Sequence, residues 1–234
     1  MQTLISPLSR RCLLVAVSLA LVAGCAASSP TVDTSAEAEM TFDGLYPVKG
    51  GTADSAWARP GADLSAYSKV MLQGVGIEYR PGGESGRLYS ARRSSDYFEI
   101  TDDQKRRFEE LLRKEVSEEL AKSERYTIVT EPGPDVLLIR GGLLDVVSFV
   151  PPEPIGRNEV YLSRVGEATL VLEIRDSVSE AILARAVDRR AAEDKGTGFN
   201  KSNRVTNSQE IRQVIRFWAR TLRERLDTYG APAE

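Results

Sequence analysis

The side chains able to do chemistry in this chain are few in kind. Its 234 residues include no histidine, and its only cysteines are Cys12 and Cys25. Without histidine the commonest general base and the commonest transition-metal ligand are missing. Ser-His-Asp and Cys-His sites need that imidazole, and zinc sites need histidines or several thiolates, so these classes fall away. Carboxylate chemistry remains. There are 34 acids, and a pair held roughly 5–10 Å apart in a cleft could cleave a glycosidic bond. Nearly all of them lie on expected helix faces or in strand-turn positions, where solvated charge accounts for them. The reading is of a non-enzyme with no catalytic residue, no cofactor and no metal.

Cys25 is the reactive group whose surroundings point to a definite event. The run from Cys12 to Ala23 is apolar but 12 residues long, against roughly 20 for a helix that spans a bilayer. Arg10 and Arg11 precede it without any acid, and a charged start, an apolar middle and a small-residue end form a secretory signal. Leu21-Val22-Ala23-Gly24-Cys25 resembles the bacterial lipobox. That resemblance implies removal of residues 1–24 and attachment of diacylglycerol, with palmitate-type chains, to the Cys25 thiol. More than one acyl chain makes a stable anchor. Ala26, rather than Asp, follows the cysteine, which by the same resemblance implies the outer membrane, with the domain facing the periplasm. Cys12 leaves with the signal, so no intrachain disulfide is expected.

Removing Arg10 and Arg11 leaves 29 basic against 34 acidic residues. That mixed, mildly acidic balance argues against nucleic acid, whose binders carry a basic stripe. The lipidated Cys25 and a flexible tether are expected over residues 25–41, where "AASSPTVDTSAEAEM" is small and polar. Its typical reach is roughly 20 Å. One globular domain is expected over residues 42–230, long enough for a real core.

Element signals follow along that domain. Phe42 to Ala62 reads as extended chain and turns, punctuated by Gly44, Pro47, Gly50, Gly51 and Pro60-Gly61. Lys69 to Ile77 is a first buried strand. Thr101 with Gln104 forms a capping-box pattern that opens a helix, whose apolar face is Phe108, Leu111, Leu112, Val116 and Leu120. Strands are expected at Tyr126–Thr130 and at Asp135–Val150, the latter bent at Gly141-Gly142. Glu167–Arg175 and Ala181–Arg189 form an antiparallel hairpin. A last helix is expected to open at Asn207 with Glu210 three residues on, to bury Ile211, Val214, Ile215, Trp218, Leu222, Leu226 and Tyr229, and to stop at Gly230. The fold class is α+β: a mixed, mainly antiparallel sheet of about five strands, with two long helices packed on one face.

"FDGLYPV", "AWARPGADLSAYSKVML", "YFEITDDQ" and "LARAVDRR" occur in that order after the lipobox. Together they resemble a family of bacterial envelope lipoproteins known as domain of unknown function 3313, over about Phe42 to Tyr229. The resemblance implies an envelope lipoprotein and supplies no activity. Three long loops, at residues 80–99, 151–164 and 195–206, offer contact surface for a protein partner in the envelope, so the first functional expectation is an accessory module of a transport or secretion assembly. The alternative is a small-molecule or glycan binder with Trp57, Tyr79, Tyr89 and Tyr97 as stacking surfaces. A carboxylate-based hydrolase comes third.

Overall fold

The computed structural model describes residues 30–81, 97–151, 159–193 and 200–231. The leader, Cys25 and Tyr89 lie outside the described residues, as do most positions of the three loops. Among the described residues no helix is long and apolar enough to cross a membrane.

Among the described residues ten strands and two helices appear in the order β1 (Thr31–Val32), β2 (Tyr46–Lys49), β3 (Ser55–Ala58), β4 (Lys69–Tyr79), α1 (Asp102–Leu120), β5 (Thr127–Val129), β6 (Val136–Ser148), β7 (Tyr161–Leu162), β8 (Arg164–Asp176), β9 (Ile182–Glu193), β10 (Asn200–Lys201) and α2 (Arg204–Gly230). Eight strands form one sheet in the order β1-β2-β3-β9-β8-β6-β4-β5, and β7 pairs with β10. The class is α+β and the sheet is mixed as expected, since β4 runs parallel to β5 and β6 while its other pairs are antiparallel. The expected strand count was too low. The three missed strands of that sheet are β1, β2 and β3, each two to four residues long in a Gly- and Pro-rich stretch. Such short edge strands carry too few residues for a period to show.

Part of the stretch expected as a tether is not free chain. From Pro30 onward it lies on the domain: β1 pairs with β2, Lys49 bonds Asp33 at 2.7 Å, and the Tyr229 hydroxyl donates to the Pro30 carbonyl at 3.2 Å.

Helix α1 starts where its capping box predicts. Thr101 Oγ1 accepts from the Gln104 N–H at 3.3 Å, and Gln104 Oε1 accepts from the Thr101 N–H at 2.8 Å. Helix α2 starts earlier than expected. Asn203 is its cap, with Oδ1 accepting from the N–H groups of Val205 and Thr206 at 3.0 Å, so Asn207 and Glu210 lie inside the helix. Asparagine has the short acceptor an N-cap needs, and Arg204-Val205-Thr206 continue it without a breaker. Gly230 is the last helical residue rather than a stop. A Cβ there would collide with the Tyr126 hydroxyl and Arg125 Nε, so close approach explains the glycine.

The helices lie side by side and run in the same direction, because the buried Glu115 meets Arg212 at 2.8 Å and Arg216 at 2.5 Å, and Glu119 meets Arg223 at 3.2 Å. Both helices reach the core. Val70, Leu120, Tyr126, Leu137, Ile139 and Leu226 form one buried cluster; Leu143, Val146, Ala168 and Trp218 form another. Gly141-Gly142 lies where β4 bulges: the register slips between Gly74 and Gly76, and a Cβ on Gly142 would meet the Val75 side chain at 2.7 Å. A second irregularity, at Asp145, has φ 57° and is clamped by Arg80.

Candidate functional site

The helix-facing side of the sheet changes character from its centre to its edge. On β8 the side chains towards α2 are Leu170, Leu172 and Ile174. Opposite them on β9 and β3 stand Ala186, Ala184, Ala56 and Ala58, through the pairs Leu172↔Ala186, Ile174↔Ala184, Ala56↔Ala186 and Ala58↔Ala184. A helix packed on a sheet leaves a layer that large side chains must fill. Four alanines do not fill it.

The result is an apolar groove of about 330 Å³, at the small end of ligand sites, which run from about 300 to 1,000 Å³. Its floor is the alanine patch with Leu172 and Ile174. One wall is the α2 face of Trp218, Leu222, Leu226 and Tyr229, spaced by 4, 4 and 3 residues so that all line one side of the helix. The other wall comes from Pro30, Val32 and Val48, and Trp57 is among the lining residues.

Polar atoms at the groove's inner end are already engaged. Asp188 is buried, and its Oδ2 accepts from Trp218 Nε1 at 2.6 Å and Arg190 Nε at 2.6 Å; Oδ1 accepts from the Asp54 N–H at 3.2 Å. Arg190 in turn stacks on Phe217, 3.8 Å from the ring centroid. Asp188 thus has its lone pairs committed to holding β9, α2 and the β2–β3 connection together. Among the described residues no group of three or more metal-ligating side chains comes together.

A second hollow of about 830 Å³ lies beyond Trp218, between the N-terminal halves of both helices and the far ends of β6, β8 and β9. Glu167 there pairs with Arg189, and Glu159 with Lys201. All three long loops leave from this end. Their flanks include Tyr79 and Tyr97, Pro151 and Glu159, and Glu193 and Asn200.

The expected aromatic surfaces do not converge. Trp57, between the floor residues Ala56 and Ala58 on β3, borders the groove with its backbone and turns its side chain to the other face of the sheet. Tyr79 packs edge-on against Phe108 with centroids 6.5 Å apart and Lys105 over its ring; burial, with a smaller push from Glu109, raises its phenol to about 12. Tyr97 lies under Arg80, 5.2 Å from the ring centroid. The alanine patch and Arg225 are site residues that the sequence reading passes over. The signal available was "LARA" on the strand paired with β8, whose Leu172 and Ile174 are large where β9 has alanine, so that space is left.

Comparison with known proteins decides the family. The model described as "Protein of unknown function (DUF3313)" matches residues 34–153, just over half of the chain. The chain belongs to this family. The match of this DUF3313 protein spans β2 to β6 and α1. No curated protein matches the chain. Among solved structures, it is similar to protein XCC0632 from Xanthomonas campestris, of family DUF330, at 10% identity, covering 74% of this chain and 90% of that one with a TM-score of 0.43. It is also similar to the PelC dodecamer of Paraburkholderia phytofirmans, at 11% identity, covering 71% and 96%, with a TM-score of 0.34. The hypothetical protein CT253 of Chlamydia trachomatis is 9% identical, with 70% and 98% covered and a TM-score of 0.34.

Proposed function

We propose that this protein is a non-enzymatic binding module of the bacterial envelope that takes a small apolar ligand in the groove between α2 and the β3–β9 edge. The carrying observation is the groove itself, a space of about 330 Å³ floored by four alanines where larger side chains would close it. Protein interiors are otherwise packed to the density of organic crystals. An empty apolar layer sacrifices contacts that an apolar ligand restores.

The lipobox supports the rest of the reading: acyl chains on Cys25 hold the domain at the outer membrane, facing the periplasm. With residues from Pro30 onward laid on the domain, only Cys25 to Ser29 separate the groove's rim from that anchor. The groove is thereby kept near a source of apolar molecules.

The test is equilibrium titration with a neutral apolar fluorophore such as N-phenyl-1-naphthylamine. The expected result is saturable uptake of one equivalent with a blue-shifted emission. Absence of saturable uptake contradicts the reading.

A second reading, an accessory module that binds an envelope protein, is favoured by one observation. The flanks of all three long loops meet at the end opposite the β8–β9 turn, where a single partner could touch them together. Crosslinking from positions 81, 97, 151 and 159 in intact cells tests it. Capture of one defined envelope protein from all four positions supports it; recovery of the monomer alone opposes it.

A further inference from the structure

Three arginines border the groove, and their surroundings differ, with the Arg185 side chain between Ala184 and Ala186 turned to the other face of the sheet. Arg185 is bracketed by carboxylates, Asp43 at 2.5 Å and Glu173 at 3.0 Å. Arg59 donates to two carbonyls, Ile182 at 2.9 Å and Asp43 at 3.0 Å. Arg225 is half-buried and has neither an ion pair nor a hydrogen bond among the described residues. Of the other arginines on α2, Arg204 and Arg220 are also unpaired among the described residues but are exposed, whereas Arg225 is half-buried at the groove. Arg223 reaches Glu119, Glu224 and Asp227, and both Arg212 and Arg216 reach Glu115.

Arg225 thus brings a charge to an apolar wall without a counterion. Asp188, the acid among the lining residues, is neutralised by Arg190. Taking a guanidinium partly out of water costs free energy unless it is paired. Apolar walls also lower the local dielectric, which strengthens its attraction for any anion that enters. The planar fork of donors suits a carboxylate or a phosphate oxygen pair.

We infer that the ligand is an amphiphile with one aliphatic chain and an anionic head, the chain lying over Ala56, Ala58, Ala184 and Ala186 and the head held by Arg225. This deepens the proposed function and rests on it. Arg225 is one helical turn before Tyr229, whose hydroxyl is tied to Pro30 at the groove's rim. The head therefore sits at the rim while the chain runs inward towards Trp218.

The test is displacement of the neutral fluorophore from the full chain by decanoate and, separately, by 1-decanol, in the native protein and in Arg225→Gln and Arg225→Lys. Both competitors carry the same chain, so the difference between them reports the head alone. Decanoate is expected to bind at least tenfold more tightly than decanol. Arg225→Gln should erase that preference and leave decanol within twofold of native, and Arg225→Lys should keep part of it. An unchanged far-UV circular dichroism spectrum and urea midpoint in each variant show that the fold is intact. Equal affinities for the two competitors in the native protein, or equal weakening of both in Arg225→Gln, overturn the inference while leaving the groove's apolar function standing. Failure of the fluorophore itself to bind overturns the functional reading, and the inference with it.

Discussion

Trp218 donates its indole N–H to the Asp188 carboxylate at 2.6 Å, with both side chains buried. This bond joins α2 to β9 and forms the partition between the alanine-floored groove and the hollow at the helix N-termini. Removing the carboxylate leaves the Trp218 N–H and the Arg190 guanidinium without their acceptor. Asp188→Ala is therefore expected to lose about 2–4 kcal/mol, and Asp188→Asn less, because its amide oxygen still accepts. Urea unfolding at neutral pH measures this. A loss under about 0.5 kcal/mol for Asp188→Ala contradicts the assigned role.

Gly166 tests the register of the central strands. A Cβ there would lie 2.6 Å from the Val147 carbonyl oxygen, a backbone atom that cannot swing away. Gly166→Ala is expected to cost about 1–3 kcal/mol by overpacking. Gly51 has open space around it, so Gly51→Ala should stay within about 0.5 kcal/mol of native. Thermal unfolding of the two variants side by side checks the contrast.

Acid should loosen the helix pair. Burial, the largest influence on Glu119, raises its carboxyl, and hydrogen bonds from Lys122 and Arg223 together outweigh it and hold it below the usual range. A depressed folded value gives stability that is complete above the unfolded value, near 4.3, and is lost as pH falls through the folded one. The urea midpoint should drop below about pH 4.5. Glu119→Gln should flatten that drop while lowering stability at pH 7. An unchanged acid slope in Glu119→Gln rejects this assignment.

Tyr67 predicts the alkaline limb. Burial first, then the hydrogen bond it donates to Asp176 at 2.9 Å, pushes its phenol up to about 12. Since the folded value lies above the unfolded one of about 10, its stability contribution is complete below pH 10 and fades between there and about 12. Tyr67→Phe should lose about 1 kcal/mol at neutral pH and unfold less steeply with rising pH. Urea midpoints from pH 8 to 11 check it.

What the sequence disclosed followed from how regular its signals are. The capping box at Thr101 and the apolar stripe from Phe108 to Leu120 name helix α1 unaided, because one helix repeats its period over many residues. The long strands β4, β6, β8 and β9 were legible as apolar runs bounded by turn residues, although β4 and β9 alternate poorly. Strands β1 to β3 were not, since they are held by pairing in series, β1 on β2, β2 on β3 and β3 on β9, rather than by their own pattern, as the register Trp57↔Arg185 illustrates. The groove was less legible still. Ala184 and Ala186 read as ordinary strand residues until Ala56 and Ala58 are found opposite them, and Arg225 reads as one more solvated charge until it proves to be half-buried at the groove without a partner among the described residues.

The most direct test of the groove is to fill it. Ala184→Leu places a larger side chain on the groove floor, and its stability and its uptake of N-phenyl-1-naphthylamine are measured on the same preparation. In a close-packed core that change costs about 1–3 kcal/mol. The account predicts stability equal to native or higher, because the added side chain occupies vacant apolar space, together with loss of fluorophore uptake by at least tenfold. Destabilisation of the size expected for a packed core, with uptake unchanged, would show that no binding groove lies between α2 and the sheet edge.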